Sequence, residues 1–217
     1  MIIYGTSLSP FVRKVLVFAQ EKGLALEVRV AGFGTPERDF LEASPFGKIP
    51  ALRDGDFVLS DSTAIAIYLD SLNAEQNLIP NEPRARSRTI WFDEFADTIL
   101  APAVRPIFFD RVAAKLLGRD GDPAAAESSI KTQMPKILAY LESVTSRVSF
   151  LVENRLTLSD ISIASHFVNL KHAGFEIKSC EFPALIDYIN ALIDRSSFHH
   201  YYNQEVNFLR TSINSIH

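Results

Sequence analysis

Two short segments of the chain carry residues whose types and spacing suit the binding of an extended anion. In the first, Pro50 follows Ile49 at the start of an apolar strand, where a proline can hold a tight turn that leaves nearby backbone groups unpaired. In the second, Asp61 and Ser62 precede a periodic apolar run, which is typical of a capped helix N-terminus. Such an end has unpaired N–H donors and the positive pole of the helix dipole, so it favours a bound carboxylate. Exposed backbone beside a helix N-terminus is what a peptide-like anion needs.

Ser9 is a candidate for direct chemistry because it lies in a polar loop, immediately before Pro10 and an apolar helical stretch. A serine at such a position either caps the helix through its side-chain oxygen or offers its hydroxyl to a bound ligand. Ser7 is the alternative hydroxyl in the same loop. Tyr4 lies inside the preceding strand pattern, where a packed aromatic is the better interpretation.

Alternating strands and helices are predicted to position these residues. The apolar patterns and an Asp54-Gly55 turn predict the order βαβαββα, over residues 2–5, 10–22, 26–30, 36–43, 49–53, 57–59 and 61–72. This order predicts an α/β domain at residues 1–73. Ser9 and Asp61 each stand at the start of a predicted helix.

The rest of the chain is predicted to be helical. Residues 74–83 are polar and contain two prolines, so they predict a linker. Residues 84–217 predict an all-α domain with helices at 84–117, 122–147, 157–173, 182–195 and 198–208. Pro102 and Pro106 are expected to kink or split the first of these helices, because each removes a backbone donor.

A capping box is predicted at the start of the third of these helices. Thr157 is the expected N-cap and Asp160 the N3 residue, so each side chain should bond the other's backbone N–H. Leu156 and Ile161 are placed for a hydrophobic staple across the same turn.

Three motifs occur together in this chain, namely Ser9-Pro10-Phe11, Lys48-Ile49-Pro50 and Asp61-Ser62. Their combination, with Ser9 six residues before Val15, resembles the serine-type cytosolic glutathione transferases of the theta and tau kind. The predicted capping box also resembles the one that opens the sixth helix of that family. The resemblance implies a thioredoxin-like first domain, an all-helical second domain and the binding of reduced glutathione as a co-substrate.

The resemblance implies a role for each residue of the two binding segments. The backbone of Ile49 should pair with the cysteinyl part of glutathione, which requires a cis bond between Ile49 and Pro50. Asp61 and Ser62 occupy the acid–serine pair that holds the γ-glutamyl amine and carboxylate, and Lys48 should reach the glycyl carboxylate. The residues alone leave alternatives open, with Lys48 as a solvated loop charge and Asp61 with Ser62 as a helix cap only.

Two departures from the family pattern concern glutathione binding. Asp61 stands where most serine-type members have glutamate, so its carboxylate reaches about 1.5 Å less far and affinity for glutathione is expected to be weaker. Thr35 lies near the position where tau members place a lysine.

The resemblance also implies how the thiol is activated and where the second substrate binds. The Ser9 hydroxyl should donate to the glutathione thiolate, which lowers the pKa of the thiol. The second substrate should be a small hydrophobic electrophile, and the candidate pocket residues are Phe11, Phe95, Ile99, Arg105, Phe108 and Phe109. Arg105 is the unusual member of this set, since it either faces an anionic substrate or extends to the surface.

The composition of the chain argues against several classes of binding partner. The 217 residues are 47% hydrophobic and 22% charged, which is ordinary for a globular protein. A net charge of -4 without a basic cluster argues against nucleic acid, and no apolar run is long enough to cross a membrane. Cys180 is the single cysteine and cannot form an internal disulfide, which fits the cytoplasm, and no histidine spacing predicts a metal site.

The expected function is the conjugation of glutathione to small hydrophobic electrophiles, a detoxification reaction, by a cytoplasmic homodimer. A non-catalytic binding or regulatory protein with the same fold is the alternative, and Asp61 is the residue that favours it. A glutathione-dependent reductase or isomerase is a further alternative. The reductases usually have a cysteine where this chain has Ser9, which argues against that activity.

Overall fold

The computed structural model describes residues 1–32 and 37–214. The chain forms two compact units, Met1–Arg86 (unit 1) and Ser87–His217 (unit 2). The sequence predicted a linker at residues 74–83. In the structure the division falls just after that segment, within the helix that follows it.

Unit 1 has the predicted βαβαββα order. Its elements are β1 Ile2–Tyr4, α1 Pro10–Glu21, β2 Glu27–Arg29, α2 Arg38–Ala43, β3 Ala51–Asp54, β4 Phe57–Ser60 and α3 Ser62–Leu72. Within the described residues the strands form one mixed sheet in the order β2-β1-β3-β4, with β1 parallel to β2 and antiparallel to β3. The predicted thioredoxin-like α/β domain is confirmed. The expected start of α2 at Pro36 lies outside the described residues.

The hairpin of β3 and β4 forms at the turn that the sequence indicates. The two strands are antiparallel, and Asp54 pairs with Phe57 across the turn. Gly55 has a φ of 62°, a left-handed value that glycine adopts without the steric penalty of a side chain. The hairpin returns the chain to the end of the sheet from which β3 started.

The sheet of unit 1 is covered on both faces. Tyr4 packs with Phe40 of α2, with ring centroids 5.9 Å apart, and both belong to a buried cluster with Ala51. Successive strand residues point to opposite faces, so Ile3 and Leu52, each fully buried, lie on the other face. The sheet is therefore a rigid support for the loops at its ends.

Lys22 anchors the segment that follows α3. Its buried ammonium donates to the carboxylate of Asp70 at 2.8 Å and to the carbonyl oxygens of Asn73 and Gln76 at 2.6 and 2.9 Å. The Asp70 carboxylate also accepts the N–H of Leu78 at 2.8 Å. Because a buried ion pair needs additional hydrogen bonds to offset its desolvation, these contacts stabilise the pair and hold the chain against α1 and α3.

Unit 2 is helical throughout its regular structure. Its elements, with the helix that enters it, are α4 Pro83–Phe95, α5 Ala101–Phe108, α6 Ala114–Leu116, α7 Pro123–Thr132, α8 Met134–Thr145, α9 Leu158–His172, α10 Pro183–Ile193 and α11 Ser196–Asn214. No helix in the described part of the chain is both long enough and apolar enough to cross a membrane. The all-α prediction for the second domain is confirmed.

Pro102 and Pro106 were expected to kink or split the helix predicted at residues 84–117, and in the structure its regular α-helical turns are split. The expected long helix contains π-helical turns at Ala96–Leu100 and Phe109–Ala113, on either side of the α5 segment that holds Pro102 and Pro106. Helical structure continues from α4 to α6, with a wider π-helical turn on each side of α5. The single helix expected from Asp122 to residue 147 is wrong: it is two helices, α7 and α8, that divide beside Pro135.

The predicted capping box at the start of α9 is present. Asp160 is fully buried, and its Oδ2 accepts the N–H of Thr157 at 2.9 Å and the Thr157 hydroxyl at 3.0 Å. Its Oδ1 accepts the N–H of Leu151 at 2.9 Å and the hydroxyl of Tyr188 at 2.7 Å, which the sequence did not predict. Burial raises the pKa of Asp160, while these donors act in the opposite direction. The carboxylate thus joins α9, α10 and the preceding loop.

Candidate functional site

The strand register brings three segments of unit 1 to one end of the sheet. Ala51, the first residue of β3, pairs with Tyr4 at the end of β1 and with Ser60 at the end of β4. The loop after β1, the segment before β3 and the start of α3 therefore begin or end at the same place. These are the three segments that the sequence selected.

Ser9 precedes α1, and its hydroxyl does not cap that helix. Its backbone has the extended conformation of an N-cap residue, but its side chain makes no cap hydrogen bond. No other hydrogen bond within the described residues occupies this partly exposed hydroxyl. The Ser7 hydroxyl is also partly exposed and without such a bond. The geometry does not support the interpretation of Ser9 as a helix cap alone.

The segment before β3 presents backbone groups that remain unpaired. The Ile49–Pro50 bond is cis, as predicted. Among the described residues, no hydrogen bond occupies the N–H or C=O of Ile49. The preceding residue, Lys48, is fixed by the buried Ser44, whose hydroxyl accepts the Lys48 N–H at 2.9 Å and donates to its carbonyl oxygen at 2.7 Å. Ile49 is therefore placed to pair with an extended ligand, and the Lys48 side chain is exposed beside it.

Gly5 allows the loop after β1 to lie close to this segment. Its φ of 149° is one that other residues rarely adopt. A Cβ at this position would lie 2.6 Å from Cγ2 of Val12 in α1 and 3.4 Å from Cβ of Ile49. The absence of a side chain therefore lets α1 and Ile49 approach each other.

Asp61 caps α3 and keeps one carboxylate oxygen uncommitted. Its φ of 87° is unusual for a residue other than glycine, and strained conformations of this kind occur most often at functional sites. Oδ1 accepts the N–H groups of both Thr63 and Ala64 at 3.0 Å. No hydrogen bond within the described residues occupies Oδ2, so this exposed carboxylate can cap the helix and still accept from a ligand ammonium.

Ser62 and the start of α3 supply the donors for a carboxylate. The N–H of Ser62 has no partner within its helix, and neither this N–H nor the Ser62 hydroxyl has another partner in the described part of the chain. The buried ammonium of Lys14 donates to the Thr63 hydroxyl at 3.3 Å, one residue further along. Lys14 thus joins α1, which begins after Ser9, to the helix end that follows Asp61.

The predicted pocket residues of unit 2 differ in their exposure. The interpretation of Phe95 as a pocket residue is not supported, because its ring is buried between Trp91 and Tyr140, with centroid distances of 5.7 and 5.4 Å. The other members lie on the surface: Ile99 and Arg105 are exposed, and Phe108 and Phe109 are partly exposed. In unit 1, Phe11 is partly exposed in the first turn of α1.

Some residues of the site were not identified from the sequence. Ser44 gave no local signal, because its bonds to Lys48 depend on the turn between them. Lys14 had one, since it and Arg13 are adjacent cations between Val12 and Val15 on a mostly apolar helix. The departure at Thr35 lies outside the described residues. In the described part of the chain, no group of His, Cys, Asp or Glu side chains is arranged to hold a metal ion.

Comparison with known families identifies both units. The profile of the glutathione S-transferase N-terminal domain matches residues 3–77, and that of the glutathione S-transferase C-terminal domain matches residues 108–205. Glutathione S-transferase 3 of Zea mays is 35% identical over 167 residues, which cover 75% of this chain and 74% of that protein. A stringent starvation protein A homolog of Coxiella burnetii is 26% identical over 198 residues, which cover 91% of this chain and 89% of that protein.

A solved structure shows a related fold. The theta class glutathione S-transferase of Xanthomonas axonopodis pv. citri, determined with glutathione bound, superposes with a TM-score of 0.79 and 27% identity. The match covers 93% of this chain and 96% of that one. It therefore extends through both units.

Proposed function

The chain belongs to the glutathione S-transferase family, and from that premise we propose that it joins the thiolate of reduced glutathione to small hydrophobic electrophiles. The observation that carries the proposal is the set of uncommitted polar groups at one end of the unit 1 sheet. They are the Ser9 hydroxyl, the backbone of Ile49, Oδ2 of Asp61 and the N–H of Ser62. We extend the proposal to a role in detoxification, a cytoplasmic location and a homodimer.

Each group suits one part of glutathione. The N–H and C=O of Ile49 match the cysteinyl backbone, as two antiparallel strands would. Oδ2 of Asp61 accepts from the γ-glutamyl ammonium, and the N–H and hydroxyl of Ser62 donate to its carboxylate. The exposed ammonium of Lys48 pairs with the glycyl carboxylate. In this arrangement the cysteinyl sulfur lies towards the loop that carries Ser9.

The Ser9 hydroxyl then acts on the thiol. It donates a hydrogen bond to the thiolate, which favours loss of the thiol proton to solvent. The thiolate attacks the electrophilic carbon, a carbon–sulfur bond forms and, with an aryl chloride, chloride leaves with the bonding electron pair. Apart from Phe95, the residues that the resemblance assigns to the electrophile site are exposed or partly exposed within their own units.

Binding can be tested by titration calorimetry with two thiols. We expect reduced glutathione to bind at least about 10-fold more tightly than cysteinylglycine, because only glutathione engages Asp61 and Ser62. Equal affinity for the two thiols would contradict the proposed γ-glutamyl site.

Asp61→Asn is expected to weaken glutathione binding about 10-fold with little change in stability. Asparagine tolerates a positive φ and is as good an N-cap, so it can retain the bonds to Thr63 and Ala64. It lacks the negative charge that pairs with the ammonium. Titration calorimetry and thermal unfolding measure the two effects.

Asp56→Asn is the matched control, because Asp56 is an exposed acid of the same unit at the hairpin turn. It should change neither quantity. If Asp61→Asn unfolds the protein or leaves glutathione affinity unchanged, the assignment of Asp61 is incorrect.

A non-catalytic protein of the same fold remains the second candidate. The observation in its favour is the similarity to a stringent starvation protein A homolog, which covers 91% of this chain. Asp61 also favours this candidate, because its side chain is shorter than that of glutamate and its carboxylate already caps α3. The two candidates differ in turnover, and both allow glutathione to bind.

We predict that the protein is a homodimer that buries at least the ~1,200 Å² of a standard interface. Exposed aromatic side chains support this in each unit, namely Phe57 in unit 1, whose ring is tilted against that of Tyr68, and Trp91 in unit 2. Leu52 and Phe92 are apolar too, but they are buried within their own units and are not part of this surface.

Light scattering at micromolar concentration should give twice the mass of the 24.2 kDa chain. Phe57→Glu should shift the mass towards one chain, whereas Phe208→Glu, at a half-exposed site on α11, should not. A wild-type mass of a single chain would refute the dimer.

A further inference from the structure

Arg105 is a cation that has no counter-ion among the residues that the structure describes. It lies exposed on α5, and within the described residues its guanidinium has neither an ion pair nor a hydrogen bond. The nearest acid along the chain, Asp110, lies against Gly121. The charge of Arg105 is therefore available to a ligand.

The surface around Arg105 is apolar. Pro102 is three residues before it and Phe109 four residues after it, so both lie near its face of the helical path. Pro102 is exposed, Phe109 is partly exposed, and Ile99 has 48% of its surface exposed. The other side of α5 is buried through Ala103, Val104 and Ile107. A cation among exposed apolar side chains fits a ligand with both an apolar body and a negative charge.

The helical path around Arg105 is irregular on both sides. The π-helical turns Ala96–Leu100 and Phe109–Ala113 flank the eight residues of α5 and contain Ile99 and Phe109. Turns of this kind are rare and are frequent at functional sites. The irregular backbone therefore coincides with the surface that carries Arg105.

We propose that Arg105 selects electrophiles that carry a carboxylate on an aromatic ring. The planar guanidinium matches a carboxylate in a bidentate pair, and the ring lies against the neighbouring apolar side chains. The inference deepens the proposed function and rests on it. With a chlorodinitrobenzoate, glutathione and the benzoate give the thioether, chloride and one proton, and the carboxylate stays intact.

The test compares chlorodinitrobenzoate with the matching chlorodinitrobenzamide, which shares its ring and leaving group. After correction for the uncatalysed rates, we expect kcat/KM to favour the benzoate by roughly 10-fold in the wild type. Arg105→Met should remove this preference, and Arg105→Lys should retain part of it. Added salt should reduce the preference.

Arg119→Met is the matched control, because Arg119 is an exposed arginine of unit 2 that also has no side-chain partner in the described residues. It removes the same charge and should keep the preference. A preference that survives Arg105→Met, or that Arg119→Met removes equally, would overturn the assignment.

Binding of the two glutathione conjugates separates this inference from the proposed function. If neither electrophile is turned over but the carboxylate conjugate binds more tightly in an Arg105-dependent manner, the charge selection stands and the catalytic function fails. Turnover of both electrophiles at equal kcat/KM, with equal binding of both conjugates, would refute the charge selection and leave the transferase function intact.

Discussion

Ser9→Ala is expected to lower turnover about 10- to 100-fold near neutral pH while glutathione affinity is largely kept. The Ser9 hydroxyl is partly exposed and makes no cap bond, so it is available to the thiolate. A hydrogen bond to a charged group contributes about 1.5 to 3 kcal/mol, and one pKa unit corresponds to ~1.36 kcal/mol. Loss of this bond should therefore raise the pKa of the bound thiol by about one to two.

The pH dependence distinguishes this effect from a loss of structure. Because the thiolate is the reactive form, a raised pKa reduces activity most at low pH and less as pH rises. The deficit of Ser9→Ala should shrink at alkaline pH, where the thiol of the variant also ionises. Steady-state rates across pH, together with the ultraviolet absorbance of the bound thiolate, measure the shift.

Ser7→Ala is the control for this variant. Ser7 lies two residues earlier in the same loop, and its hydroxyl is also partly exposed. We expect it to change turnover less than about twofold. If Ser7→Ala is the variant that loses activity, the activating hydroxyl has been assigned to the wrong serine.

Asp160→Ala is expected to destabilise the protein by about 3 to 5 kcal/mol, or roughly 10 °C in melting temperature. Its carboxylate is fully buried and accepts bonds from Thr157, Leu151 and Tyr188. Removal leaves these buried donors without a partner, which costs more than the loss of an exposed helix cap. Denaturant titration measures the change, and the folded fraction should bind glutathione normally.

Two further variants keep this prediction testable if Asp160→Ala does not fold. Tyr188→Phe removes one donor and leaves the carboxylate in place, so it should cost about 1 to 2 kcal/mol. Asp187→Ala changes an exposed acid on α10 and should be close to neutral. Equal stability of Asp160→Ala and the wild type would refute the structural role of this carboxylate.

Much of the architecture follows from local signals. The order of elements in unit 1 was predictable because its strands and helices are short, periodic and separated by glycine and proline. The capping box of Thr157 and Asp160 was predictable because it is a contact over three residues. Its bonds to Leu151 and Tyr188 were not, since nothing near Asp160 in the chain indicates where a distant loop and helix will pack.

Helix interruptions were the weakest part of the prediction. Pro102 and Pro106 indicate that the backbone must deviate, but a missing N–H does not specify whether the helix ends or widens into a π turn. Pro135 divides the helix expected at residues 122–147, because proline is tolerated in the first turn of α8 but not in the interior of a continuous helix. The outcome depends on what packs against each segment.

The residues of the candidate site also fall into two groups, those that a local motif indicates and those that depend on the folded structure. Ser9, Ile49 and Asp61 were identified from motifs, and the register of the sheet then explains why they converge. The contacts of Ser44 and Lys14 depend on the folded turn and on helix packing, so a local pattern could not specify them. The burial of Phe95 was not predictable, because an aromatic on a helix looks the same in sequence whether it lines a pocket or packs inside.

The central claim, that the chain conjugates glutathione, is tested most directly by steady-state assay with chlorodinitrobenzene and reduced glutathione. We predict a rate that is proportional to protein, saturates with glutathione and releases one chloride for each thioether formed. If calorimetry shows that glutathione binds while the conjugation rate stays at the uncatalysed value, the chain is a binding protein of this family and the transferase function is contradicted.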